Sequence, residues 1–169
     1  MLPKPHKAFS LIELLCALTL LSLFISITLP NFSRWIELNR TQSLHNLLYT
    51  QLYQARTSSV LHNRDVEVCG SSNGQDCDDS WQSGWLLRYC DTGQLITQHR
   101  LSAQDHLRWA GFTPRIRFHE NGTAPLGNGR FYLCDRNDQV ILQVVLNRQG
   151  RLRRVNGLET TQDIGTTCL

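Results

Sequence analysis

Residues 7–32 read KAFSLIELLCALTLLSLFISITLPNF, and the stretch decides how the rest of the chain is read. From Phe9 to Leu29 there are 21 residues whose only charge is Glu13. At ~1.5 Å rise per residue a helix of that length covers about 30 Å, the thickness of a bilayer core. A carboxylate in hydrocarbon is costly unless something neutralises it, so Glu13 is a functional candidate that needs a cationic partner. Lys4, His6 and Lys7 precede the run and no acid does. The positive-inside rule then puts the N-terminus in the cytoplasm and the remainder across the membrane. A secretory signal peptide fits the pattern less well, because the run is long and ends Ile27-Thr28-Leu29-Pro30, a poor cleavage site.

Beyond the run, helical periodicity continues. Leu44, Leu47, Leu48, Leu52 and Ala55 fall on one stripe, while Arg40, Gln42, Ser43, Asn46 and Gln54 lie off it. The spacing predicts one long helix reaching about His62, interrupted and kinked at Pro30, whose ring clashes with the preceding turn and whose nitrogen carries no donor. After Arg64 short strands separated by Gly, Asn and Asp are predicted at Asp65–Cys69, Gly84–Cys90, Gln94–Leu101, His106–Ala110, Arg115–His119, Phe131–Asp135, Val140–Asn147 and Arg151–Val155. Ser71–Ser80 and Glu120–Gly129 read as loops. An antiparallel sheet with one apolar face needs a cover, which the helical stripe supplies. The fold class is therefore α+β.

At 169 residues and 41% apolar content the chain is long enough for one cored domain and too apolar for disorder. Of six cysteines, Cys16 lies inside the apolar run, leaving Cys69, Cys77, Cys90, Cys134 and Cys168 on the exported side, where disulfides persist. Spacing favours Cys69 with Cys77 as a loop staple and Cys134 with Cys168 as a tie for the tail, although sequence alone does not fix connectivity. One thiol is left over, and Cys90 has no assigned role. Zinc is a poor alternative without a C-x-x-C pair.

The run of features resembles a type IV prepilin: a short basic leader, Phe9-Ser10-Leu11-Ile12-Glu13, a long apolar helix, Pro30 and a β-rich C-terminal domain. The resemblance implies cleavage by prepilin peptidase between Ala8 and Phe9, with Ala8 standing where Gly is typical, and N-methylation of Phe9. It also implies that Glu13, fifth in the mature chain, pairs with the new α-amino group during assembly. In a low-dielectric medium that attraction is far stronger than in water. The chain then divides into a leader (1–8), a transmembrane and assembly helix (9–29), an amphipathic continuation (30–62) and a β-rich domain (63–169). QARTSSVLHNRDVEVCG, CDDSWQSGWLLRYCDTGQ and LNRQGRLRRV narrow the likeness to the GspH/FimT group of minor pilins and pseudopilins, most like FimT. That implies a single-pass protein of the inner membrane with a periplasmic domain, later part of a surface pilus. Its partners would be other pilins and prepilin peptidase.

Charge adds a specific expectation. The formal net charge is +3, and losing Lys4 and Lys7 leaves 15 Arg against 14 acidic residues. From Arg100 to Arg154, however, ten Arg face four acids. Asn147-Arg148-Gln149-Gly150 reads as a hairpin turn with Gly150 suited to positive φ. If Leu152 points inward, alternation sends Arg151 and Arg153 outward together, with Arg148 on the turn. Arg154 breaks the alternation, which suggests that the strand ends there and the side chain joins the same rim. No acid occurs from residue 139 to 158. FimT-type minor pilins carry a DNA-binding Gly-Arg-x-Arg motif on this hairpin, and Gly150-Arg151-Leu152-Arg153 matches it. The resemblance thus implies capture of extracellular double-stranded DNA through its phosphates by Arg148, Arg151, Arg153 and Arg154, for uptake in natural transformation. The alternative is a structural or priming pseudopilin, GspH-like, whose arginines only discourage strand pairing.

Arg115 and Arg117 alternate on one strand and could extend the patch, although a solvated face is the plainer reading. Trp81 and Trp85 flank Gly84 and read as core aromatics rather than base-stacking platforms. His6, His45, His62, His99, His106 and His119 fall into no catalytic or metal-binding motif, so neither an enzymatic activity nor a cofactor is expected.

Overall fold

The computed structural model describes residues 10–160, apart from the side chains at 27, 30 and 31, together with Gln162 and Cys168. Ala8 and Phe9, the expected processing site, lie outside the described residues. Among the described residues there is one helix, α1, spanning Leu11–His62. It is followed by β1 (Val66–Gly70), β2 (Gly84–Tyr89), β3 (Leu95–Arg100), β4 (His106–Gly111), β5 (Ile116–Phe118), β6 (Gly129–Cys134), β7 (Val140–Leu146) and β8 (Leu152–Asn156). Against the expectation of an interruption, α1 is continuous through position 30. One proline deletes one donor from the ladder, and the turns on either side still close.

The chain falls into two compact units, residues 1–38 and 39–169. In the first, Leu11, Leu14, Leu18, Leu21 and Phe24 are all exposed. Among the described residues no helix is long and apolar enough to cross a membrane.

In the second unit the β-domain is built as two antiparallel four-stranded sheets, ordered β3-β2-β1-β5 and β4-β6-β7-β8. Leu44, Leu48, Leu52 and Ala55 of α1 are buried, with Leu47 partly so, because their spacing puts them on one helical stripe. They share a core with Val66 and Val68 of β1, Trp85 and Leu87 of β2, Ile116 and Phe118 of β5, Phe131 and Leu133 of β6 and Leu142, Val144 and Leu146 of β7. Alternation along each strand sends the intervening residues to the outer faces. Trp81 and Trp85 belong to this core, at 4% and 0% exposure, so neither is a stacking platform. Their indole N–H groups donate to the Pro114 carbonyl and the Gln51 side chain.

Disulfides join Cys69 to Cys77 and Cys134 to Cys168. Glu67 lies close to the first, but with both sulfurs bonded to each other this grouping offers a single carboxylate and holds no metal site. Cys90 is a half-buried thiol, and burial pushes its pKa up.

Candidate nucleic-acid interface

The β7–β8 hairpin carries the arginines singled out from the sequence. Its turn closes through Gly150 N–H donating to the Asn147 carbonyl at 3.0 Å, with Asn147 N–H donating to the Arg151 carbonyl at 3.1 Å. Gly150 has φ 71°, the left-handed conformation of the G1-bulge hairpin loop. A Cβ there would stand 2.1 Å from the Gly122 carbonyl oxygen. The turn therefore packs directly on the 119–128 loop. Ala124 N–H donates to the Arg148 carbonyl at 3.0 Å, and Arg56 of α1 donates to the same Gly122 oxygen at 3.1 Å. These contacts tie the hairpin's main chain to the loop, and the loop to the helix.

On that base, Arg148, Arg151 and Arg153 are exposed, while Leu152 turns toward the core. Arg148 and Arg151 form no ion pair among the described residues. Arg153 is different: its guanidinium binds the Glu159 carboxylate at 2.7 Å. Glu159 also binds Arg130, across the sheet from Arg153. Arg130 and Arg153 both stand opposite Val145, in one row on the outer face, so a single carboxylate can reach both. The hydrogen bond from Arg153 first, and that from Arg130 after it, hold the Glu159 carboxyl below its ordinary pKa.

Glu159 lies one residue beyond the acid-free stretch 139–158, and only the folded chain brings its carboxylate to these arginines. Its segment reaches back over the sheet through buried Gln143, which accepts from Arg130 at 3.3 Å and donates to the Gln162 side chain at 2.8 Å and to the Gly157 carbonyl. A buried glutamine at an outward-facing strand position signals such a cover, because it needs partners.

Arg154 corrects the sequence reading. β8 does not end there but runs to Asn156, with Arg154 opposite Val144. Alternation puts it on the face toward α1, where its guanidinium lies over the Tyr49 ring at 4.1 Å. It thus leaves the rim of Arg151 and Arg153. Arg115 and Arg117 sit on β5, in the other sheet. Arg115 is engaged by Asp79 at 3.0 Å and donates to the Cys77 carbonyl, and both arginines line a separate cavity of about 510 Å³ with Glu67 and His119.

At the start of α1, Ser10 N–H meets a Glu13 carboxylate oxygen at 3.5 Å, and Ile12 N–H donates to the Ser10 hydroxyl at 3.3 Å. Ser10 thus caps the helix through the Ile12 N–H while Glu13 reaches back to the Ser10 N–H, the S-x-x-E pattern of a capping box, present in the sequence as Ser10-Leu11-Ile12-Glu13.

A long N-terminal helix, its later part packed on antiparallel sheets, defines a pilin-like α+β protein. The family described as "Type II transport protein GspH" matches residues 45–150, and the prokaryotic N-terminal methylation motif matches residues 3–29. The chain belongs to the GspH family, which makes it a minor pilin or pseudopilin of the type IV kind. Among solved structures it is similar to the type IV minor pilin FimU of Pseudomonas aeruginosa in two crystal forms. One match has a TM-score of 0.57 at 19% identity, covering 80% of this chain and 99% of that one. The other has a TM-score of 0.54 at 19% identity, covering 76% and 99%. At that identity the likeness is one of fold. No curated protein sequence matches the chain. These matches do not distinguish the FimT branch from its relatives.

Proposed function

We propose that this minor pilin binds double-stranded DNA through Arg148, Arg151 and Arg153 and carries it inward as the pilus retracts, in natural transformation. The observation that carries this reading is the exposure of Arg148 and Arg151, without ion pairs among the described residues, on a turn whose main chain is tied to the 119–128 loop. A guanidinium fork matches phosphate oxygens two at a time, and a held turn loses little freedom when it docks. Contacts to phosphates would be indifferent to sequence, with log affinity falling by about 0.9 per neutralised phosphate against log salt. Arg154, stacked on Tyr49, takes a supporting place, adding positive potential rather than a contact.

Assembly would run through the N-terminal helix, with prepilin peptidase cutting before Phe9 in the inner membrane and Glu13 meeting the new amine. The β-domain would face the periplasm before joining the surface filament. The test is a gel shift with double-stranded DNA at two salt concentrations, using the unmodified protein and the Arg151→Gln/Arg153→Gln variant. Loss of binding in the variant is expected; equal binding by both would remove the site from this hairpin.

A second reading has its own observation, since the matching family is described as a type II transport protein. There the chain would be a structural or priming pseudopilin whose partners are other pseudopilins, and the unmodified protein would shift no DNA.

A further inference from the structure

We infer that the groove beside the arginine hairpin accepts an unstacked nucleobase, so that the site grips single-stranded DNA through Phe112 as well as through phosphates. This rests on the DNA-binding reading above. The groove encloses about 650 Å³ where the ends of β4, β6 and β7 lie side by side. On its floor the short side chains of Ala110 and Val145 flank Arg130 across the strands. Phe112 stands on the β4 side and Arg148 on the β7–β8 turn.

Phe112 is 71% exposed, an unusual position for a large apolar ring in the folded β-domain. Its main chain is nonetheless held, with its N–H donating to the Asn128 carbonyl at 3.0 Å. A solvent-facing aromatic on a held main chain, with a guanidinium across the groove, is what a base-stacking platform needs, since every base offers a π-face and the linking phosphates need cations. No acidic residue lines the groove. Arg148 on the rim, with Arg151 and Arg153 beyond it, would follow the backbone of a strand whose base lies on Phe112. In an intact duplex the bases are stacked and their faces closed, so a duplex would meet only the arginines. The inference is therefore one of substrate form: a single-stranded end or gap would be held more tightly than paired DNA of equal charge.

The test measures fluorescence anisotropy of the full chain in detergent micelles at fixed low salt. The probes are a short pyrimidine-rich single strand and a duplex of the same length. Phe112→Ala should weaken single-strand binding about fivefold or more, the range expected for one lost stacking contact, and leave duplex binding within about twofold. Phe112→Trp should keep or strengthen single-strand binding. Arg151→Gln/Arg153→Gln should weaken both. Phe112 is exposed, so the variants should keep the parent melting temperature. If Phe112→Ala changes neither affinity, or lowers both equally, the base-binding groove is overturned while the phosphate site stands. If Phe112→Ala instead reduces incorporation into the filament with DNA binding intact, the groove belongs to a neighbouring subunit and the inference is likewise wrong. If the unmodified protein binds neither probe, the inference falls together with the DNA reading.

Discussion

The Arg153 guanidinium is bound by the Glu159 carboxylate at 2.7 Å, and the same carboxylate holds Arg130. An acid shared by two arginines at a proposed phosphate site competes with phosphate for both. Replacing Glu159 with Gln would keep a hydrogen-bond acceptor and remove the charge. DNA affinity at low salt should then rise several-fold, and each additional phosphate engaged should steepen the salt dependence by about 0.9. Titrations at several salt concentrations measure both quantities. An unchanged slope with Glu159→Gln would mean that neither arginine reaches the DNA.

His45 gives the fold a pH dependence. It is buried on α1, with Nε2 placed 3.2 Å from the Gln143 carbonyl and Nδ1 without a partner among the described residues. Burial lowers its pKa most, and the nearby Arg154 charge lowers it further, against the opposing pull of the Gln143 carbonyl and the Asn46 side chain. The unfolded chain therefore takes up a proton near pH 6.5 while the folded chain still resists it. Stability contributed by the neutral imidazole is complete above about pH 6.5 and is lost as pH falls toward the lowered folded value. Urea midpoints measured from pH 8 to pH 5 should fall in the acid half of the range. The slope should be shallower for His45→Gln, which keeps a donor for Gln143 and has nothing to protonate. His99, also lowered by burial, would supply the remainder.

Much of this fold was legible because each signal is local. The stripe from Leu44 to Ala55 repeats with helical period, and Gly, Asn and Asp punctuate the strands, so all eight strands fall close to their expected places. Gly150 announced its positive φ through the turn chemistry around it. What stayed hidden depends on distant pairing. Nothing along the chain says that β4 leaves the first sheet for the second, or that β5 returns to β1. Arg154 looked like a rim residue because Arg153-Arg154 reads as a broken alternation. It is an intact one, in which a long side chain covers Tyr49 with its stem and guanidinium in place of an apolar group. The role of Glu159 is not legible along the chain, because its carboxylate reaches Arg130 and Arg153 only once its segment folds back on the sheet.

Glu13 has two separable roles to test. As the last residue of the capping box, three positions after Ser10, it supports the first turn of α1, and as a charge it would neutralise the amine of the mature chain. Gln is accepted at that capping position, so Glu13→Gln removes the charge while leaving the cap nearly intact. Incorporation into filaments, followed by immunoblotting of sheared pili, should fall sharply for Glu13→Gln if the charge matters. Incorporation at the parent level would assign Glu13 to the helix start alone.

The two disulfides should differ in what they contribute. Cys69 and Cys77 are 8 residues apart, whereas Cys134 and Cys168 are 34 apart. On the chain-entropy account a closed loop constrains the unfolded state more as it lengthens, giving about 2.5 kcal/mol for the first and about 4 kcal/mol for the second. Replacing Cys134 and Cys168 with Ser should therefore lower stability more than the corresponding change at Cys69 and Cys77, as read from urea unfolding. The longer tie also bears on the site. Cys134 anchors the tail on β6, four residues from Arg130, and the tail carries Glu159. Without it the Glu159 segment should leave the sheet more readily, so the Cys134→Ser/Cys168→Ser variant should lose stability and yet bind DNA more tightly. A paired loss of both properties would show that the tail builds the site instead of screening it.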